Sequence, residues 1–583
     1  MNMHTWRGKL DRGIQQKYMS HQLMKPFSQE WIWEQAIVEP KIIYSVREQL
    51  NEYDELVLQW LLSCKGNSIT EQEQLINTMK IQLHISGQQA LFSLLSLAEL
   101  GLIQCRKHPW RGHIWHMTYP IFHNWRLVMM QERQYWKHAQ NLNIANCTVD
   151  QGNMIPLGKT LMYLLLIMSK LDLRYTKKGE LAKLTREKLI AYSASLDNEF
   201  FRDHLPHLRK STYGASLQFL LELAYALQLV EETAVGLNLN MALINEWLLL
   251  HEWQREALHM QWMCEFFLFE PYYESIAATI SELIACDAGK WYEVETPTKQ
   301  LQMFLSMWRN SGWMTSLSEK TSEHNKCRFV QRHVFELNSQ SQFVIQDNGE
   351  IVVLPGTSYR QLWLLEQIAE RMNEQEIIIY RLTLQSLVQA LSSGYTLDGI
   401  EQWLIQSCDH ELPQIVFHML RAARTTFEEA RQQTEISSDT HGPLLHMEVE
   451  LRDALHLLRP IEQWGKWLAA TNQVLNEPLL DHEERYELLT NPKYGSFTTS
   501  WMTECRQYHY STSKKIVQCA IDHQLSLQIK KEGILLYFHP NRLLEIDNNW
   551  VVEGVFDRQQ TDDFKLEQLN DWQGIKLHMA TVL

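Results

Sequence analysis

Apolar residues recur at helical spacing over most of this chain, and alternating, strand-like stretches are few. Residues 54–65 (DELVLQWLLSCK), 70–83 and 87–101 (GQQALFSLLSLAELG) each carry apolar positions three and four apart, which predicts three helices, the last stopped at Gly101. Residues 102–119 (LIQCRKHPWRGHIWHMTY) then alternate around Pro109-Trp110-Arg111-Gly112, the signature of a hairpin. Further helices are predicted at 156–170 and 213–229. Between them, 173–192 (LRYTKKGELAKLTREKLIAY) reads as a short strand, a turn at Lys178-Gly179 and a helix. Residues 341–355 (SQFVIQDNGEIVVLP) predict a hairpin turning at Asn348-Gly349, with helices at 359–373 and 384–393. From about 526 onward short alternating runs separated by turn residues predict a small β-barrel.

Three helices followed by a two-stranded ribbon form a winged-helix pattern. It is predicted at 54–119, again around 156–229, and in degenerate form within 274–317. The fold class expected is α+β, mainly α, with tandem winged-helix-like units. The boundaries read as 1–150 for an N-terminal arm and a first winged unit, 151–265 for a second and 266–335 for the third. An α/β module follows at 336–430, a linker and helical segment at 431–511, and the barrel at 512–583.

Composition narrows the function classes. A 583-residue chain with 45% hydrophobic and 21% charged residues is an ordinary globular protein of several domains. Its 21 Trp and 21 Tyr suit domain interfaces, and are also compatible with base stacking. A net charge of −15 repels a polyanion, so any nucleic-acid contact requires a local basic patch. The nine cysteines are scattered without a CxxC, as in a reduced, cytoplasmic protein. No secretory signal and no apolar run long enough to span a membrane are evident.

Gly158-Lys159-Thr160 matches the end of a P-loop, which would make the chain an ATPase. The match does not extend. The upstream glycine, Gly152, leaves five intervening residues where the motif allows four, and Pro156 removes an amide from the cradle. No apolar strand feeds the loop and no Asp-Glu box follows. The segment is expected to be a plain helix with Pro156 in its first turn, and no catalytic residue is assigned. An ATP-binding reading would instead require that Lys159→Ala abolish nucleotide binding.

Two basic clusters are candidates for DNA phosphates. The first is Arg106, Lys107 and Arg111 on the first ribbon, beside helix 87–100 as recognition element. That helix is nearly free of basic residues, so protein docking competes with DNA there. The second is Lys177, Lys178, Lys183, Arg186 and Lys188, interleaved with Glu180 and Glu187, for which a merely solvated charged face is the competing reading. Cys105, His108, His113 and His116 lie close enough to imitate a zinc site. On a ribbon, however, alternation points Cys105 and His113 away from His108 and His116, so no metal is expected. His204 with His207, and His441 with His446, are isolated pairs.

Residues 343–421 carry a more specific pattern: Asp347 and Gly349, then Tyr380-Arg381-Leu382-Thr383, Ser386-Leu387, Ala390, Gly394, Ile400, Leu404, Ser407 and Pro413. This resembles the N-terminal domain of XPB-type DNA helicases. Locally, Thr383 fits a helix N-cap, Gly394 a stop, and Pro413 the start of a third helix. In those helicases the module precedes two motor domains. Only about 160 residues follow it here, too few for two. The resemblance therefore implies a helicase-associated, non-enzymatic protein without cofactors. The order of winged unit and module also looks like the TFIIH subunit that docks on XPB, which implies an XPB-type helicase as a partner beside DNA. Residues 512–578 resemble a WYL module, with matches at Ile516, Ala520-Ile521, Pro540, Trp550 and Phe564. That resemblance implies ligand contacts at Arg542, Trp550, Arg558 and Lys565. The family's Trp-Tyr-Leu is Trp550-Val551-Val552 here, and Gln568 replaces one basic residue.

The function expected is a non-catalytic, cytoplasmic DNA-binding or helicase-associated protein in DNA repair or transcription; a bacterial origin rests on the resemblance. The alternatives are a transcriptional regulator sensing a ligand through the WYL-like module and a scaffold that binds only protein.

Overall fold

The computed structural model describes residues 12–66, 68–130, 136–139, 147–150, 156–193, 213–268, 273–294, 298–319, 328–333, 343–354, 357–372, 378–408, 411–433, 454–459, 479–480, 484, 488, 497–546, 549–557 and 565–579. The fold is mixed α+β, with several small sheets among many helices. The chain forms two compact units, Met1–Lys137 with Met263–Cys286 and Thr471–Leu583, and His138–Trp262 with Asp287–Ala470.

In the first unit, helix Glu52–Trp60 starts where the Asn51 side chain accepts from Asp54 N, and it continues into a π turn at Leu61–Lys65. A short strand, Thr70–Glu71, precedes helices Gln72–Leu83 and Gly87–Glu99. The last opens with a capping box in which Ser86 and Gln89 satisfy each other's amides. Strands Gln104–His108 and Gly112–His116 then form the expected hairpin, and Thr70–Glu71 adds to its Gly112–His116 side. Helix Tyr119–Met129 packs on helix Glu274–Ala285, where His123 Nδ1 lies 2.7 Å from Ser281 Oγ. There the fully buried Arg126 donates to Leu62 O at 2.9 Å and to Glu282 at 2.7 Å.

At the C-terminal end of this unit, helix Tyr510–Asp522 buries Ile516, Val517 and Ala520 against one face of a five-stranded antiparallel sheet. The order is Lys565–Gln568, Asn549–Phe556, Ile534–Ile546, Ser526–Lys531, Gly574–His578. No closed barrel forms among the described residues, because Lys565–Gln568 and Gly574–His578 remain at opposite edges. Closure needs strands long enough to tilt and stagger until the first meets the last. The edge strands here have four and five residues, and the helix covers the apolar face instead.

The second unit repeats part of this order. Helix Leu157–Ser169 is followed by extended residues 174–175, helix Lys183–Ser193, helix Ala215–Ala226 and a hairpin of Val230–Thr233 with Gly236–Leu239. Arg174 bridges to Gly236, and Tyr175 N donates to Val235 O at 2.8 Å. Residues 174–175 thus border the hairpin as Thr70–Glu71 borders the other. This second hairpin was not anticipated from sequence, although VEETAVGLNL carries the alternation and the central glycine that announce one. Of the segment expected as a third winged unit, helix Glu274–Ala285 falls in the first compact unit. Strands Trp291–Val294, Arg328–Arg332, Met314–Glu319 and Cys147–Asp150, antiparallel in that order, fall in the second.

The module from 343 has strands Phe343–Ile345, Glu350–Val353, Ile379–Arg381 and Glu370–Arg371 in that spatial order, all antiparallel. Asn348 Oδ1 accepts from Glu350 N at 2.9 Å and tightens the predicted turn. Thr383 caps helix Leu384–Ser392 by accepting from Ser386 N. Gly394, at φ 94°, ends the reach of that helix, and Pro413 immediately precedes helix Gln414–Gln433.

Candidate nucleic-acid interface

The Gly-Lys-Thr segment opens helix Leu157–Ser169, and every amide of its first turn already has a protein acceptor. Leu157 N donates to Ser311 O at 3.0 Å, and Lys159 N and Thr160 N donate to Pro156 O. Gly158 N donates to Glu256 Oε1 at 3.0 Å. Glu256 is fully buried, and its other oxygen accepts from Trp313 Nε1 at 2.7 Å. His259 Nδ1 lies 3.4 Å from that same oxygen, while its Nε2 accepts from Trp247 Nε1 at 3.3 Å. Arg255 donates to Trp247 O and lies 3.8 Å over the Tyr359 ring. A carboxylate of the chain itself therefore occupies the position a phosphate would need at this positive helix end. A Cβ on Gly158 would lie 2.4 Å from Glu256 Oε1, so the glycine serves close packing. Burial, reinforced by Arg371, lowers the Lys159 pKa.

The first basic cluster is divided. Arg106 is buried and donates to Gln104 Oε1 at 3.0 Å. Its strand edge is covered, since Arg106 bridges to Leu479 and Leu480 N donates to Cys105 O. It is not presented to a ligand, contrary to the expectation from sequence. Lys107 and Arg111 remain exposed, 3.2 Å from Glu484 and 3.7 Å from Glu71. Helix Gly87–Glu99, the expected recognition element, has no exposed residue, and Gln88 N donates to Gln524 O at 3.1 Å. A helix with no exposed residue does not present a reading face to a groove.

The second cluster is better presented. Lys177 and Lys178 are exposed on a turn closed by Gly179 N to Thr176 O, directly after the residues that border the second hairpin. Lys183 and Lys188 are exposed on the following helix. Lys183 lies 3.7 Å from Glu187, and Arg186, mostly covered, lies 3.0 Å from Glu180. Lys177, Lys178 and Lys188 make no ion pair among the described residues. Nearby, the Arg174 guanidinium holds Asp172 down to about 2, so the local carboxylate is already matched. Here too the third helix, Ala215–Ala226, has no exposed residue.

The expected ligand residues of the C-terminal sheet do not converge. Arg542 pairs with Glu553, and Lys565 lies opposite Gly554. Trp550 is four residues from Gly554, about 13 Å along the strand, with Lys514 Nζ 3.4 Å from its ring centroid. Arg558 lies outside the described residues.

The first hairpin pairs Lys107 with His113, Cys105 with Trp115 and Gln104 with His116, so Cys105 and His113 share one face and His108 and His116 the other. Among the described residues no three metal-ligating side chains group together. His204, His207, His441 and His446 lie outside those residues. His116 is buried without a partner for either ring nitrogen among the described residues. Burial, with Arg106 adding to it, drives its pKa down to about 3. Above about pH 6.5 the ring is neutral folded or unfolded; below it the unfolded chain takes up a proton the folded one refuses. Stability of this unit is expected to fall as pH drops from about 6.5 towards 3, by at most about 1.4 kcal/mol per pH unit from this group. Denaturant midpoints at about pH 7 and about pH 5 should lie closer together in His116→Leu than in the wild type.

Sequence reasoning missed the Glu256 centre and the loss of both third helices to the interior. Acidic residues within a helix carried no signal of burial, and the covering segments are remote in sequence. Among the described residues no helix is long and apolar enough to cross a membrane. In comparison with known proteins, no family model matches the chain and no curated protein matches it significantly.

Proposed function

We propose that this chain is a non-catalytic DNA-associated protein that contacts phosphates without reading bases through its helices. The observation that carries the reading is the exposed set Lys177, Lys178, Lys183 and Lys188 beside the second hairpin, in a unit whose third helix is wholly covered. Lys177, Lys178 and Lys188, which make no ion pair among the described residues, gain from displacing counterions on a phosphate backbone. The exposed pair of Lys183 with Glu187 is weak enough to be exchanged for a phosphate. The repeated order of helix, short strand, two helices and hairpin supports winged-helix units in which the basic turn, not the third helix, faces DNA. The capped α/β module at 343–433 supports docking to an XPB-type helicase, in DNA repair or transcription in a bacterial cytoplasm. The covered third helices also favour a second reading, a scaffold that binds only protein. A ligand-sensing regulator is less well served, because Arg542 is matched by Glu553 and the other expected contacts are dispersed.

Binding of the full chain to single- and double-stranded DNA across a salt series tests this. The triple substitution Lys177→Glu, Lys178→Glu, Lys188→Glu is expected to weaken binding at every salt concentration. Each phosphate that the variant no longer neutralises should flatten the logarithmic salt slope by about 0.9 on duplex and about 0.7 on single strands. Salt-independent binding would refute the phosphate contact, and no binding at low salt would favour the scaffold.

A further inference from the structure

We propose that Trp110, at the tip of the first hairpin, is a stacking platform for an unpaired nucleobase at a single-stranded end or junction. It rests on the DNA-associated reading above and adds a second contact to it. Trp110 is 91% exposed, the most exposed large apolar side chain among the described residues. An indole left in water contributes almost nothing to folding, so its presence there is not explained by the core.

The loop that carries it is built to hold still. Three residues, Pro109, Trp110 and Arg111, join the paired His108 and Gly112. Gly112 has φ +69°, the left-handed conformation that closes a three-residue hairpin loop. His108 Nδ1 accepts from both Trp110 N and Arg111 N at 3.2 Å, so the tip amides are tied to the strand below. Pro109 restricts the backbone on the other side. A ligand meeting this tip does not have to order the loop first, which lowers the cost of association.

The surroundings select the ligand. Lys107 and Arg111 stand three residues before and one residue after Trp110 in the same hairpin, and their contacts to Glu484 and Glu71 are solvent-exposed. Ion pairs of that kind are weak and can be exchanged for phosphate. An apolar protein socket would have to close over this charged rim, whereas protein interface cores are depleted in charge. A base offers a flat π-face to the indole and its phosphates to the cations. Bases inside a duplex have both faces covered, so an unpaired base or an open end is the fitting partner.

The test uses the full chain with oligonucleotides carrying 2-aminopurine at an unpaired end, and compares wild type, Trp110→Ala and Trp110→Phe. Wild type is expected to quench the probe on binding. Trp110→Ala should lose the quenching and bind the single strand more weakly, on the order of tenfold. Its salt slope and its affinity for duplex lacking open ends should be unchanged, and Trp110→Phe should keep most of the effect. Equal thermal melting of the three proteins shows that the tip substitution leaves the fold intact. If Trp110→Ala matches wild type on single strands while the lysine reversals still weaken binding, stacking is overturned and the phosphate contact stands. If Trp110→Ala instead loses a co-purifying protein with DNA binding unchanged, the indole belongs to a protein socket and the proposal is overturned. Absence of DNA binding at every salt concentration overturns both readings.

Discussion

Glu256→Ala is expected to destabilise the second unit by about 3–5 kcal/mol, read as a large drop in its denaturant midpoint. The side chain accepts from Gly158 N and Trp313 Nε1, both in the interior. Removing it strands two buried donors and uncaps helix Leu157–Ser169 at its positive end. It also takes away a carboxylate that helps Arg255 keep its charge against burial, which lowers the guanidinium pKa. Glu256→Gln should cost less, because its carbonyl still serves one donor while its NH2 confronts the other. Gly158→Ala should cost about 1–3 kcal/mol by overpacking, since the new methyl would sit 2.4 Å from the carboxylate. If Glu256→Ala melts like wild type, the carboxylate does not hold this helix end.

Arg126→Ala should be comparably severe in the first unit, again about 3–5 kcal/mol. Arg126 is enclosed between helices and holds Leu62 O and Glu282 together. Truncation leaves the Glu282 carboxylate, itself mostly covered, without its cation. The double substitution Arg126→Met with Glu282→Leu should recover most of the loss, because apolar side chains of similar volume remove both desolvation penalties at once. Chemical denaturation of the three proteins checks this. A double variant no better than Arg126→Ala would mean that the Leu62 carbonyl contact, not the ion pair, is the important part.

These two residues mark the limit of what could be read from sequence. The N-cap at Thr383, the turn at Asn348-Gly349 and the hairpin around 109–112 were legible because their hydrogen bonds join residues two or three apart. The face alternation separating Cys105 and His113 from His108 and His116 was legible for the same reason. Gly158 and Glu256 are 98 residues apart, and Arg126 and Glu282 are 156 apart. Nothing local marks either carboxylate as buried. The basic residues show the same division: Lys177 and Arg106 look alike in the sequence, yet one is exposed and the other covered by residues near 479.

The sequence by itself determined the helices, turns and hairpin tips, since backbone conformation and capping depend on near neighbours. Its spacing and Pro156 also argued for a plain helix opening at Gly158-Lys159-Thr160, which is the element formed. Only the tertiary structure decided that Glu256 fills that helix end, that both third helices are hidden, and that Trp110 stands alone in solvent. Burial is a property of what packs on a residue, and the packing partners come from distant parts of the chain.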